Sequence, residues 1–486
     1  MDINQSRKLT GLRKLGYALG SIGQILPITF FNTYAFQYYV YTIGLDASLT
    51  SIGIFLGLIV FAISSPIFGV IIDNKTPTKF GKRRPFLLYA IPGLLILMTI
   101  AWIPPKCPIG NPFYLPTAIF FWLVSSGLDL NQGLVVSTYL SMLAEQTTDD
   151  KNRIEVANLQ GLFSILATVF STFIPMILQS SLVDPQNPHY STYSGKFLVV
   201  LVPKIGFSLG LIASLIFILV YISTDENFLI DLNNIGVRKD SKTGSIKNTI
   251  RKITIPTKDP QFRLWMANTM TYNMSLRIFL TILIPFLTYV LLLKENEFVI
   301  LLACILPFGV TGYIVWTRLI YQKGLKFAYK TTLLISFIFS LSTMIFLNEM
   351  NLQLKFILGI FILGLIIATL IGGFLYMNPI VSKLIDLAPD DVKLLIQKFS
   401  NFKETSIENN QNKYLETTNL SGAYFGAYIF SYNIAQAIAN LILGLTLTGP
   451  NAKNPIIINL AIPIGGVFII IAYFLLKPIK IPHYIE

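Results

Sequence analysis

Long apolar stretches alternate with short polar segments from one end of the chain to the other. A helix needs roughly 20 mostly apolar residues to cross the hydrocarbon layer of a membrane. About twelve stretches reach that length, and so the pattern predicts about twelve membrane-spanning helices. They are expected near residues 17–42, 50–73, 85–103, 115–144, 157–180, 197–222, 264–293, 297–316, 329–347, 354–382, 422–447 and 455–476.

The composition supports this assignment and excludes an ordinary soluble protein. Of the 486 residues, 53% are hydrophobic and only 13% are charged. Soluble domains carry charge on about a quarter of their residues because water must solvate their surface. The sequence therefore predicts an all-α integral membrane protein, multi-pass and located in the cell membrane.

The basic residues are distributed unevenly among the loops, which predicts the orientation. They are concentrated in every second loop, at residues 7–14, 75–84, 238–263, 318–330 and 383–413. The loops assigned to the other side hold only Lys106, Lys196, Lys294 and Lys453. Basic loops stay on the cytoplasmic side of a membrane, so both termini are expected to be cytoplasmic. The net charge of +13 then reflects this bias and attraction to lipid headgroups, with no nucleic-acid partner implied.

The longest polar interruption divides six predicted spans from six others. It predicts an N-terminal six-helix bundle at 1–222, a cytoplasmic linker at 223–262 and a C-terminal six-helix bundle at 263–486. A basic loop follows the second span, and a weaker echo of it, with the same order of glycine, basic and aromatic residues, follows the eighth. Such an internal repeat is typical of duplicated transporter folds.

Five segments resemble the glycoside-pentoside-hexuronide:cation symporters, a family of the major facilitator superfamily that includes the melibiose carrier. The segments are Lys14–Gly20, Pro66–Pro85, Tyr139–Glu145, Pro285–Val290 and Gly422–Gly426. The resemblance implies the major facilitator fold, transport by alternating access, and a central cavity lined by the first, fourth, seventh and tenth spans.

The chain lacks most of the charges with which melibiose-type carriers bind sugar and the coupling cation. The aligned positions are uncharged here: Ile25, Phe61, Ser65, Val136, Asn433 and the neighbourhood of Gly161. This difference argues against sodium coupling and melibiose-like recognition. No cofactor or metal is expected, and a coupling ion, if there is one, is expected to be H⁺ rather than Na⁺.

Two charged residues lie near the middle of predicted spans, Asp129 in the fourth and Arg277 in the seventh. A charge at the bilayer centre costs at least ~2.5–3.5 kcal/mol, so each requires a reason. The resemblance places both at the central cavity, where they are expected to pair or to share the substrate. A pair that breaks between access states would form a charge-linked gate. A permanently buried pair that fastens two helices is the alternative.

Uncharged polar residues in the spans are candidates for recognition of a hydroxylated solute. Asn268 and Tyr272 are four residues apart, so both can share one helix face. The predicted substrate-binding residues are Asp129, Asn131, Arg277, Gln24, Asn32, Tyr34, Asn268, Tyr272 and Asn433. Hydrogen bonding between helices is the alternative role for any one of them.

The basic loop after the second span predicts an inner gate. Its residues Lys82, Arg83 and Arg84, together with Asp73, can clamp carboxylates or helix ends, and Glu145 is an expected partner. A purely topogenic role of these charges is the alternative.

These features predict a secondary active or facilitative transporter for a small polar solute, such as a glycoside, sugar or polyol, that functions as a monomer. Two alternatives remain open, namely a carrier of lysolipids or other amphiphiles and a membrane sensor or scaffold that does not transport. No catalytic constellation is recognisable in the sequence, so an enzyme is not expected.

Overall fold

The computed structural model describes residues 8–78, 80–147, 149–226, 254–399 and 409–481. All the regular elements in these ranges are helices. The first six are α1 Gly11–Gln37, α2 Ala47–Asn74, α3 Arg84–Ile100, α4 Leu115–Gln146, α5 Asp150–Ser180 and α6 Tyr193–Ser223. The others are α7 Pro260–Pro285, α8 Glu297–Lys323, α9 Leu325–Ser342, α10 Leu352–Asp386, α11 Asp390–Phe399, α12 Asn409–Thr446 and α13 Pro455–Leu476.

Twelve of these helices coincide with the twelve predicted spans, and α11 is a short addition. Ten of them, in the described part of the chain, are long and apolar enough to cross a membrane. The other two are α3, an apolar helix of 17 residues, and α1, which continues through a π-helical turn at Tyr38–Ile43. The predicted all-α membrane fold is therefore confirmed, whereas the cytoplasmic location of the termini stays a prediction.

The described chain divides into two compact units. The first contains the chain up to Leu45, Leu56–Pro175 and the chain from His189 through α6; the second contains Asp46–Phe55, Met176–Pro188 and the chain from 254 onward. The beginning of α2 and the end of α5 thus belong with the second unit. Most of the predicted linker at 223–262 lies outside the described residues.

In the first unit, α1 packs along α6, and α3 packs along both α4 and α6. A buried tyrosine pair joins α1 to α4, because the Tyr17 hydroxyl donates to the Tyr139 carbonyl at 2.7 Å and the Tyr139 hydroxyl donates to the Tyr17 carbonyl at 2.8 Å. Gln160 of α5 donates its amide to the Tyr139 hydroxyl at 2.7 Å. These bonds satisfy polar groups that would be costly to leave unpaired in an apolar interior.

In the second unit, α7 is the central helix and packs against both α12 and α13. In the most apolar part of its span, 83% of the residues are buried, compared with 28% in α5. A helix buried on nearly all sides can carry polar and charged side chains that lipid would not tolerate. This position explains why α7 contains Asn268, Asn273 and Arg277.

Candidate functional site

Asp129 lies in the middle of α4 and is 3% exposed. Its carboxylate and the Ser125 hydroxyl lie so close to Gly57 of α2 that a Cβ atom on residue 57 would collide with both. A side chain at position 57 would therefore displace the carboxylate. Glycine at this position is what allows α2 and α4 to approach each other at the buried charge.

The next polar residues of α4 bind neighbouring helices. The Asn131 side chain donates its amide to the Ala90 carbonyl of α3 at 3.2 Å, and the Gln132 side chain donates to the Gln24 carbonyl of α1 at 3.1 Å. The Asn131 side chain is thus hydrogen-bonded to a neighbouring helix, and Gln24 accepts its hydrogen bond with its backbone carbonyl. The side chains of Gln24 and Asn32 are both half-buried on α1.

Tyr34 lies in an aromatic cluster inside the first unit. Its ring centroid is 5.7 Å from that of Phe30 and 6.0 Å from that of Trp102, which follows α3. Tyr38 joins the cluster and donates its hydroxyl to the Trp102 carbonyl at 2.9 Å. The ring of Tyr34 therefore contributes to packing between α1 and the end of α3.

Two of the predicted residues of α7 contact the same tyrosine. Asn268 accepts a hydrogen bond from the Tyr329 hydroxyl at 3.1 Å and donates its amide to the Ala472 carbonyl of α13 at 2.6 Å. The Tyr272 ring lies 6.2 Å from that of Tyr329, and its hydroxyl donates to the Leu370 carbonyl of α10 at 3.2 Å. The shared helix face expected from their spacing is thus present, and it faces α9, α10 and α13.

Hydrogen bonds between polar side chains join α7 to α12. Gln436 donates its side-chain amide to the Asn273 side chain at 3.2 Å, and Thr281 donates its hydroxyl to the Asn440 side chain at 3.2 Å. Asn433, one turn before Gln436, donates its amide to the Ile429 carbonyl of its own helix at 2.8 Å. Sequence reasoning missed Asn440 and Thr281, although the spacing of Asn433, Gln436 and Asn440 could have indicated one polar face.

Arg277 belongs to this central helix and is 4% exposed. It lies in the second unit, whereas Asp129 lies in the first. The structure describes each charge within its own unit, and so their predicted pairing stays a prediction.

Three further amides are buried without a hydrogen-bond partner among the described residues. Neither side-chain amide atom of Gln37, Gln179 or Asn459 has one. Buried polar groups in proteins are nearly always bonded, which makes these three amides candidates for binding a solute or water. Gln37 lies in the first unit and the other two in the second. Sequence reasoning missed Gln179 and Asn459 as site residues, although each interrupts an apolar run.

The basic loop before α3 is anchored by a residue that sequence reasoning missed, Glu226. One oxygen of this buried carboxylate accepts hydrogen bonds from the backbone N–H groups of Lys82 and Arg83, the latter at 2.9 Å. The guanidinium of Arg84 donates to the Tyr221 carbonyl at 2.7 Å and lies 4.1 Å above the Tyr221 ring. The loop is therefore fastened to the end of α6.

Two residues of the predicted inner gate, Asp73 and Glu145, have side chains that lie outside the described part of the structure.

Glu226 occupies the place of an N-terminal cap of α3, where a negative charge is favourable beside the free N–H groups and the positive end of the helix dipole.

A sequence profile described as MFS/sugar transport protein matches residues 16–389. The chain belongs to the MFS/sugar transport protein family. This family is a transport family and not a class of enzymes, and it confirms the resemblance to glycoside symporters and the multi-pass membrane assignment.

Several proteins are similar in sequence to this chain. An isoprimeverose transporter of Lactiplantibacillus pentosus is 24% identical over 216 residues, which are 44% of this chain and 41% of that protein. A glucuronide carrier protein homolog of Escherichia coli (strain K12) is 25% identical over 170 residues, 34% and 36% of the two chains. An uncharacterized symporter of Bacillus subtilis (strain 168) is 24% identical over 179 residues, 37% of either chain. Each match therefore spans well under half of the relative.

Solved transporters share the fold over nearly the whole length. The nucleoside transporter NupG has a TM-score of 0.60 at 10% identity and covers 96% of this chain and 98% of its own. A D-xylose-proton symporter has a TM-score of 0.55 at 13% identity, with 96% of both chains covered. At such identities the likeness establishes the major facilitator fold.

Proposed function

We propose that the protein is a secondary carrier that moves a small polar solute, namely a glycoside, sugar or polyol, across the membrane by alternating access. The observation that carries this proposal is membership of the MFS/sugar transport protein family over residues 16–389. Two of its sequence relatives are named for the transport of isoprimeverose and glucuronide, which supports the glycoside class.

The polar groups of the spans support a neutral, hydroxyl-rich solute. Gln37 in the first unit and Gln179 and Asn459 in the second each offer a donor and an acceptor that no described residue uses. Hydroxyl groups leave water readily only when matched hydrogen bonds replace those to water. Each unit thus carries amides of the kind that bind hydroxylated solutes. One chain contains both six-helix halves, so we propose a functional monomer.

Asp129 and Arg277 are the proposed coupling elements. Each is buried in the middle of a span, and each lies in a different unit. We propose that they pair in one access state and separate in another, and that Asp129 takes up and releases the coupled proton when they separate. The chain lacks the additional acidic residues that form a sodium site in melibiose-type carriers, which favours H⁺.

A thermal-stability screen of the purified protein tests this proposal. Wild type, Asp129→Asn and Asp390→Asn are heated with sugars, polyols, amino acids or lysolipids at several pH values. Asp390 is an exposed residue of α11 and provides the same chemical change away from the spans. A ligand at ~100 times its dissociation constant stabilises the folded protein by ~2.7 kcal/mol.

We expect one class of glycosides or polyols to stabilise wild type and Asp390→Asn, with the shift reduced in Asp129→Asn. Stabilisation by lysolipids alone would establish the amphiphile alternative instead. An Asp129→Asn variant that binds and transports like wild type would refute the coupling role of this residue while leaving the solute class intact.

A further inference from the structure

A cavity of about 520 Å³ opens at one end of the second unit, apart from the polar residues described above. It lies where the beginnings of α7 and α9, the end of α10 and the segment after α13 meet. Its lining residues are Asp259, Gln261, Lys326, Leu384, Leu387, Lys480 and Ile481.

The cavity lies at the level where the spans end. The span of α8 ends at Lys323, that of α9 begins at Leu325, and that of α13 ends at Leu476. Lys326 and Lys477 are therefore at the boundary between the hydrocarbon layer and water. Lipid headgroups occupy this level, and basic pockets between spans are known to bind them.

Two lysines line the cavity, Lys326 and Lys480, and three others lie within four residues of one of them in sequence: Lys323, Lys330 and Lys477. Among the described residues, no carboxylate forms an ion pair with any of them. Lys326 and Lys330 are four residues apart on α9, where their charges act on each other. Like charges at this spacing are destabilising unless an anion offsets them.

The carboxylate in the lining is already engaged. Asp259 accepts hydrogen bonds from the backbone N–H groups of Gln261 and Phe262, at 2.9 and 3.3 Å, and from the Tyr424 hydroxyl at 3.0 Å. It is 2% exposed. Among the lining residues, Lys326 and Lys480 therefore carry the accessible charge.

Three hydrogen bonds that involve backbone groups fix the wall of the cavity. The Lys326 ammonium donates to the Lys477 and Ile479 carbonyls at 2.8 and 2.6 Å, and a lysine has a third N–H to offer. The backbone N–H of Lys480 donates to the Gln261 side chain at 2.8 Å. The ammonium of Lys326 is thus fixed at the wall of the cavity.

Apolar and aromatic side chains adjoin the charges. Phe327 and Phe474 are 45% and 57% exposed, and Lys323 and Lys477 lie 4.9 and 4.6 Å from the centres of their respective rings. Aromatic rings with lysines at the ends of spans are typical of the membrane interface. A soluble anion would make no use of these rings.

We propose that this cavity, which we call the lysine cavity, binds the phosphate of an anionic phospholipid. The lysines neutralise the phosphate, whereas the apolar wall of Leu384, Leu387 and Ile481 accepts the glycerol backbone and the first carbons of the acyl chains. The lipid would join α7, α9, α10 and the segment after α13 within the second unit.

The test measures lipid retention by the full-length protein with native mass spectrometry in detergent. The probes are phosphatidylglycerol, phosphatidylcholine with the same acyl chains, and inorganic phosphate. The variant Lys330→Gln/Lys480→Gln leaves Lys326 and its two hydrogen bonds intact. The matched control Lys294→Gln/Lys453→Gln removes the same charge from loops on the predicted opposite side of the membrane.

We expect wild type and the control to retain phosphatidylglycerol in preference to phosphatidylcholine. Each lysine near the surface contributes roughly a fivefold gain in affinity, so the cavity variant should bind on the order of 25-fold more weakly. Equal binding by the two double variants would overturn the proposal. Competition by millimolar inorganic phosphate as effective as that by lipid would also overturn it, because the site would then be one for soluble phosphate.

Discussion

Asp46, which precedes α2, offers a quantitative test of how the second unit is held together. This residue is 3% exposed, and its two carboxylate oxygens have different partners. One oxygen accepts hydrogen bonds from the backbone N–H of Ser48 at 2.8 Å and from the Ser48 hydroxyl. The other accepts a hydrogen bond from the backbone N–H of Gly449 at 2.9 Å. One side chain therefore caps α2 and also ties its beginning to the turn after α12.

Substitutions at this position can separate the two contributions. A helix cap is worth ~1 kcal/mol, and a hydrogen bond to a charged group ~1.5–3 kcal/mol. Because Gly449 is exposed and its N–H can turn to water, we expect the lower end of that range. Asp46→Ala should therefore lose about 2–3 kcal/mol. Asp46→Asn keeps the cap but presents an N–H₂ group to the Gly449 N–H, so about 1–2 kcal/mol should be lost.

Thermal unfolding of the purified variants, followed by intrinsic fluorescence of the four tryptophans, measures these losses. Each kcal/mol lowers the Tm of a domain of this size by roughly 2–4 °C. Asp46→Ala is expected to melt roughly 4–12 °C below wild type, and Asp46→Asn between the two. If Asp46→Asn has the same Tm as wild type while Asp46→Ala has a lower one, the hydrogen bond to Gly449 contributes nothing to stability and only the helix cap does.

Three further predictions concern other contacts. Gly57→Val should destabilise the protein by about 1–3 kcal/mol and reduce transport, because the new side chain collides with Asp129. Gly69→Val on the same helix is the control and should do neither, because no atom lies within 4 Å of the added Cβ. Glu226→Ala should increase the rate of tryptic cleavage in the loop at 75–84 about tenfold for each 1.4 kcal/mol of anchoring lost, because cleavage follows the population of the opened loop. Asp390→Asn, at an exposed residue of α11, is the unaffected control. Burial raises the pKa of the Cys107 thiol. In a Cys304→Ser background, the rate at which maleimide labels Cys107 should therefore be lower than that of free cysteine at pH 8 and should rise only at higher pH. Equal labelling rates at pH 8 would contradict the burial of this thiol.

The spans could be predicted because the length and apolarity of a crossing helix are local properties of the chain. The last span, expected at 455–476, is α13 Pro455–Leu476. The first helix begins at Gly11, ahead of the predicted start at 17, because a helix can continue past the apolar stretch and carry Arg13 and Lys14 beyond the hydrocarbon layer. Such differences at the ends of helices leave the number and order of the spans unchanged.

Contacts between distant residues could not be predicted in this way. The spacing of Asn268 and Tyr272 predicted that they share a face, but only the packed structure directs that face toward Tyr329. Glu226 is 144 residues from Lys82 in sequence, and nothing in either segment identifies the other. The assignment of the beginning of α2 to the second unit likewise depends on tertiary contacts.

The central claim, that this chain is an alternating-access carrier of a small polar solute, is tested most directly by entrance counterflow. Proteoliposomes are loaded with an unlabelled glycoside, sugar or polyol and diluted into a trace of the same labelled compound. A carrier exchanges solute through one binding site, so at least one of these compounds should accumulate transiently inside and then decline. A channel or a sensor would give no such overshoot, and its absence with every compound in these three classes would contradict the account.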